Sequence, residues 1–238
     1  MTDSDLREII LTGIGVSPGI CIGKAYLVDV EGIDIVEKYH ISQIHVHSEI
    51  KRFKLAVKKA KNELRTIIES TPDAIREHVD ILETHVILLN DKLLYGKIIE
   101  TIEADFINAE WALKKVVSSL KAMFLNMSDL YLKERAIDIG HVSDRILSNL
   151  VGSEKINIAT IDKRVVLVAT DLSPAQTSQI QLERVKGFIT DQGGGTSHTS
   201  IIARTLGIPA VSGLDHATKT LCSGDLIIVD GISGNVIV

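Results

Sequence analysis

The sequence has little of several things that would point to particular functions. It holds only two cysteines in 238 residues. Cys21 and Cys222 form no metal or redox spacing, and a pair in a chain this long does not read as a disulfide scaffold. Aromatic residues make up 4% and the formal net charge is −5, a balance that argues against a nucleic-acid-binding surface. No apolar run exceeds the five residues of Val165–Ala169, against the about 18 to 20 that a membrane span needs. The first eight residues carry Asp3, Asp5, Arg7 and Glu8 in place of the basic-then-apolar layout of a secretion signal. These absences predict a cytoplasmic chain with neither a membrane nor a nucleic acid as partner.

Proline is also scarce, and its distribution is informative. Of four prolines, only Pro72 falls between residues 42 and 151, where the apolar pattern is helical. Ile50, Phe53, Val57, Ala60, Leu64 and Ile67 step by three and four along one helix face. Thr71-Pro72 offers a cap and a first-turn proline for a second helix carrying Ile75, Val79, Leu82, Val86 and Leu89. Asn90 or Asp91 can cap a third helix ending near Ile102, and Asn108 a fourth near Trp111–Met123. A fifth runs from Ser128 to Leu150 and stops at Gly152. Consecutive helices with short links predict a bundle.

On either side the pattern is β-prone. Ile14–Val16 and Cys21–Val28 precede the helices, while Val165–Ala169, Gly187–Thr190, Leu226–Val229 and Val236–Val238 follow among glycine turns. The economical architecture is an α/β domain, residues 1–30 plus 152–238, interrupted by an all-α helical bundle insert at 42–151. Charge within the insert is uneven. Residues 42–70 hold seven basic and three acidic side chains, and residues 71–110 hold three and nine.

The segment richest in chemistry is Asp191-Gln-Gly-Gly-Gly-Thr-Ser-His-Thr-Ser-Ile-Ile-Ala-Arg204. It reads as a strand end, a glycine turn and a helix start. Gly193, Gly194 and Gly195 allow close backbone approach to a ligand, and Thr196 or Ser197 can cap the helix that follows. His198 then falls in the first turn, where helix-start amides favour an anion. A neutral imidazole offers a nucleophilic nitrogen near neutral pH. Other candidates are weaker. Gly15-Val-Ser-Pro-Gly19 fits a nucleophile elbow by spelling, but no helix pattern follows it, so it predicts a tight turn. His45 and His47 have no metal spacing, and His78 and His85, seven apart, read as solvated helix histidines. No metal site is expected in this chain.

Gly193–Val211 closely resembles the phosphohistidine signature of the phosphoenolpyruvate-utilising enzymes, which include enzyme I of the sugar phosphotransferase system and the dikinases and synthases. The opening Gly13-Ile-Gly-Val-Ser-Pro-Gly-Ile-Cys-Ile-Gly-Lys24 resembles enzyme I in particular. So do Tyr131-Leu-Lys-Glu-Arg-Ala-Ile-Asp138 and Val168-Ala-Thr-Asp-Leu-Ser-Pro-Ala-Gln-Thr177, in the same order. The resemblance covers essentially the whole chain. It implies an α/β phosphohistidine (swivelling) domain with a helical insert, and a phosphoryl group carried on Nε2 of His198. It also implies a hydroxyl, Thr177, that orients the histidine. In that family the phosphoryl group passes from phosphoenolpyruvate to a histidine of the small phosphocarrier protein HPr. Phosphoenolpyruvate and Mg²⁺ bind in a carboxy-terminal barrel, so neither is expected to bind here.

The same resemblance places carrier docking on the insert beside His198, with Glu77, His85, Leu88, Asp91 and Arg135 at matching positions; Leu88 is the expected apolar anchor because the core seam already uses Leu82, Val86 and Leu89. One residue departs from the pattern: relatives usually have arginine where this chain has Gly195. Arg204, six residues beyond His198, is either a replacement for that cation or a structural residue. Two alternatives stay open. One is the swivelling domain of a dikinase or synthase, although no ATP-grasp segment precedes Gly13. The other is a non-catalytic carrier-binding module, for which Gly195 is the best support.

Overall fold

The run Val165-Val-Leu-Val-Ala169 has no polar residue to turn toward water. In the computed structural model, which describes residues 9–28, 37–152 and 158–238, all five are buried. Successive side chains of a strand point to opposite faces. Val165, Leu167 and Ala169 accordingly join one apolar cluster with Leu172, Ile180, Phe188, Ala203 and Ile208. Val166 and Val168 join another with Ala25, Ile189, Val211, Ile227 and Val229. A strand covered on both faces is the centre of a parallel sheet.

Among the described residues that sheet has eight strands: β1 (Ile10–Thr12), β2 (Ile14–Ser17), β3 (Ile20–Leu27), β4 (Val165–Ala169), β5 (Val185–Thr190), β6 (Ala210–Ser212), β7 (Leu226–Asp230) and β8 (Asn235–Ile237). Their order is β1-β8-β7-β3-β4-β5-β6-β2. The run β3-β4-β5-β6 is parallel, and the remaining pairs are antiparallel. β1 and β6 are absent from the sequence expectation because three residues are too few to show alternation. In the elbow-like Gly15–Gly19, Gly15–Ser17 belong to β2 and Pro18-Gly19 make the tight turn to β3, with Gly19 at φ 125°.

The chain divides into two compact units. One comprises Met1–Val30, Thr71–Glu77 and Ile156–Val238, and the other Glu31–Ser70 and His78–Lys155. The second unit is helical: α1 (Val46–Ser70), α2 (Asp80–Leu88), α3 (Lys92–Asp105), α4 (Ala109–Leu125) and α5 (Leu130–Val151). The α1 seam buries Ile50, Phe53, Val57, Ala60, Leu64 and Ile67 as its spacing demands, and α5 packs on both α1 and α4. α5 stops at Gly152, whose φ of 75° suits a residue without Cβ. The expected second helix is split. Residues Asp73–His78 form a 3₁₀ turn and only Asp80–Leu88 is α; apolar steps of three and four do not distinguish the two geometries. No described helix is long and apolar enough to cross a membrane.

Asn108 holds the cap position of α4 but makes no capping bond with its side chain. Its amide instead accepts from Tyr39 N and donates to the Glu37 carbonyl and Glu110 Oε2. The α4 amide of Ala109 donates 2.6 Å to Glu49 Oε1 of α1. A carboxylate suits that place because it meets the positive end of the helix dipole. Arg52, one turn on from Glu49, donates to Glu49, to Glu110 and to the Leu150 carbonyl of α5. One guanidinium thus joins three helices.

Burial pushes the Glu49 carboxyl up, but the bonds from Arg52 and the Ala109 amide outweigh it and hold the group below the ordinary glutamate value. A depressed folded value means stability that is present above the unfolded value of about 4.3 and lost as pH falls through the folded one. Glu49→Gln should therefore cost about 1.5 to 3 kcal/mol near neutral pH. The difference from the parent should shrink as the medium is acidified, in urea melts run down a pH series. A constant difference across the series would contradict the assignment.

Candidate functional site

β4 and β5 run in parallel with Ala169 opposite Thr190, so the loops leaving them emerge together. The first loop turns into α6 (Pro174–Thr177), closed by a reciprocal capping box between Ser173 and Gln176. The second, Asp191–Ser197, turns into α7 (His198–Leu206). Thr199 of α7 donates 2.9 Å to the Leu172 carbonyl, which fixes the start of α7 against the α6 loop.

The glycine loop is held at several points. Gly193 lies at φ 101°, where only glycine sits without strain. Ser197 is the cap of α7: its Oγ accepts from Ser200 N and lies 2.8 Å from Ser200 Oγ. Ser200 Oγ in turn donates 2.7 Å to the Gly194 carbonyl. Arg204 reaches back and donates to the Gly195 carbonyl at 2.9 Å and the Val16 carbonyl of β2 at 3.1 Å. Arg204 thus has a structural part, tying the loop to β2. At the base of the loop the buried Asp191 carboxylate accepts from Ala217 N and Thr218 N, at the start of α8 (Ala217–Thr220). Asp191 was not singled out from sequence, since its partners lie 26 residues away.

His198 is the first residue of α7 and half-buried, with Nε2 shielded from solvent. Gly195 and Thr196 are exposed, and a Cβ added at Gly194 or Gly195 would meet nothing within 4 Å. The loop therefore opens on free space at Gly194 and Gly195, just before the start of α7, where helix amides favour an anion. Thr177 is fully buried on α6, which packs against α7. Its hydroxyl donates to the Pro174 carbonyl at 3.0 Å, which leaves the oxygen as an acceptor. Burial pushes the Cys21 thiol up, against the pull of the Lys186 charge, so it is a poor nucleophile.

The residues expected to meet the carrier are placed unevenly. The side chain of Glu77 lies outside the described residues; its backbone is in the 3₁₀ turn. Arg135 is half-buried on α5. Asp91 is half-buried and caps α3 through Leu93 N at 2.7 Å. Two placements correct the expectation. His85 is 2% exposed, with Nε2 3.2 Å from Asp138 Oδ1, and is no solvated histidine. Leu88 is 4% exposed and faces the bundle interior, whereas its neighbour Ile87 is 64% exposed. The seam expected from sequence is Leu82, Val86 and Leu89; Leu82 and Leu89 are buried and Val86 half-buried, but His85, bonded to Asp138, and Leu88 are buried with them.

Two family models match the chain: "PEP-utilising enzyme, N-terminal" over residues 12–135 and "PEP-utilising enzyme, mobile domain" over residues 161–234. Phosphoenolpyruvate-protein phosphotransferases of Listeria innocua and Bacillus subtilis are 44% and 43% identical over 229 residues. Those matches span 96% of this chain and 40% of each relative's length. A solution structure described as Enzyme I superposes with a TM-score of 0.79 at 38% identity, covering 95% of this chain and 91% of that one. A structure described as the N-terminal domain of Enzyme 1 – Nitrogen gives 0.63 at 27%, covering 95% and 92%.

The loop geometry separates two neighbouring glycines. Gly193→Ala should cost about 1 to 3 kcal/mol through backbone strain. Gly195→Arg should stay within about 0.5 kcal/mol of the parent, since its Cβ enters open space. Thermal melts of both variants check this; equal losses would contradict the loop conformation.

Proposed function

Because the chain belongs to the phosphoenolpyruvate-utilising enzymes, as a relative of Enzyme I, we propose that it carries a phosphoryl group on His198 and exchanges it with the phosphocarrier protein HPr. The observation that carries this reading is the place of His198: first residue of a capped helix, after an anchored glycine loop that opens on solvent. In the step proposed, the P–N bond on the carrier histidine breaks as a new P–N bond forms at His198 Nε2. The ring reacts as the neutral tautomer with its proton on Nδ1 and a lone pair on Nε2, and the carrier imidazole leaves with the electron pair of the broken bond. Since Nε2 is shielded in the described arrangement, the ring must turn about its side-chain torsions to present it. Thr177 Oγ1 is suited to accept from the imidazole N–H and hold the ring once turned.

The relatives' names include phosphoenolpyruvate, and loading from it belongs, in this reading, to the part of those proteins that this chain does not span. Mg²⁺ needs an oxygen-rich octahedral shell. The grouping found among the described residues, His85, Asp138 and His141, has two nitrogen donors and does not fit it. The matched family models and the helical second unit favour this reading over a dikinase or synthase swivel.

Incubation with phospho-HPr is the direct test. The parent chain should take up one acid-labile, base-stable label, and His198→Ala should take up none while keeping its circular dichroism. Residual labelling of that variant would overturn the assignment, and failure of the parent to label would favour a binding module.

For docking, the exposed Ile87 replaces Leu88 as the apolar anchor, within a segment whose acids outnumber its bases nine to three. Ile87→Ala should weaken carrier binding by about 1 to 2 kcal/mol, chiefly through faster dissociation. Leu88→Ala should instead lower the stability of the helical unit by roughly 2 to 5 kcal/mol. Asp91→Asn keeps the α3 cap, so any slower association reports charge alone. Carrier affinity unchanged by Ile87→Ala would place the docking surface elsewhere.

A further inference from the structure

Outside the His198 loop, three side chains of ligand type converge in the helical unit. His85 on α2 and Asp138 and His141 on α5 each bring one nitrogen or oxygen within 4.8 Å of the others. His85 Nε2 is 3.2 Å from Asp138 Oδ1, and the two imidazole rings stand 6.0 Å apart at 56°. His85 is 2% exposed, whereas Asp138 and His141 are half-buried. A hydrogen-bonded His85–Asp138 pair would satisfy that buried ring by itself. His141 brings a second imidazole to the same point.

We propose that His85, Asp138 and His141 form a site for Zn²⁺ or a closely related divalent transition ion. Two imidazole nitrogens and one carboxylate oxygen are donors that such ions prefer, and three protein ligands leave a fourth position for water. Asp138 and His141 are three residues apart and so share a face of α5. Bonds of ~2.0 to 2.2 Å to a tetrahedral ion place neighbouring donors roughly 3.3 to 3.6 Å apart. The set therefore closes by side-chain rotation of an ångström or so, without moving a helix. The half-buried residues leave an entry path from the surface, and the ion would tie α2, nine residues long, to α5. His85 lies 53 residues before Asp138, which is why spacing gave no sign of the site.

The test uses the intact chain and the metal alone. Titration with Zn²⁺ should show one equivalent bound and a concentration-dependent rise in melting temperature. Co²⁺ in its place should give the intense visible bands of a four-coordinate site. Asp138→Asn and His141→Gln, on the accessible side, should each weaken binding by at least about tenfold, while His45→Ala and His47→Ala, both at exposed positions, should not. Ring ¹⁵N shifts of the unmutated chain locate the ion without any substitution, and should move at His85 and His141. Absence of stoichiometric uptake, undiminished binding in both ligand variants, or ring shifts confined to other histidines would overturn the proposal. None of these readouts involves His198, so the result stands apart from the phosphoryl-transfer reading.

Discussion

The parallel pairing of β4 with β5 sets Ala169 beside Thr190, and the histidine loop depends on that register. Both strands are buried on both faces, so their ends are fixed by packing on two sides at once. The two loops that leave them therefore begin side by side. One carries Thr177 and the other His198, and the Thr199–Leu172 bond closes the gap between them. A slip of one residue in β5 would turn Phe188 and Ile189 to the wrong clusters. The site inherits its geometry from the same apolar contacts that stabilise the sheet, as is usual at the carboxyl ends of parallel strands.

The loop itself adds little apolar burial and is held by polar contacts. Ser197, Ser200, Arg204 and Asp191 each satisfy backbone groups that a tight turn would leave without partners. Their combined effect leaves one side of the loop, at Gly194 and Gly195, free of neighbouring atoms. A reactive side chain needs that combination of a fixed backbone and an open approach. The helical unit uses polar groups in a comparable way. Glu49 caps α4 from α1, and Arg52 brings the end of α5 to the same point.

Much of this was legible in the sequence where one physical rule acted alone. The α1 seam, the helix start at Ser197–His198 and the stop at Gly152 follow from periodicity, capping and the αL preference of glycine. Reading failed where partners lie far apart in the chain. Asn108 has the right residue type for a cap, yet the Ala109 amide of α4 goes to Glu49, 60 residues before it. Arg204 ties the loop to β2 through the Gly195 and Val16 carbonyls, the latter 188 residues away, which spacing does not reveal. At α2 the seam of Leu82, Val86 and Leu89 left His85 and Leu88 to the surface, whereas both are buried and His85 bonds Asp138, 53 residues away.

The central claim is that one nitrogen of one histidine holds the phosphoryl group. The most direct measurement is histidine side-chain ¹⁵N NMR of the chain before and after incubation with phospho-HPr. The account predicts that a single ring among the eight histidines changes, that it is His198, and that the change is at Nε2. A phosphorylated ring elsewhere, or His198 modified at Nδ1, would contradict it.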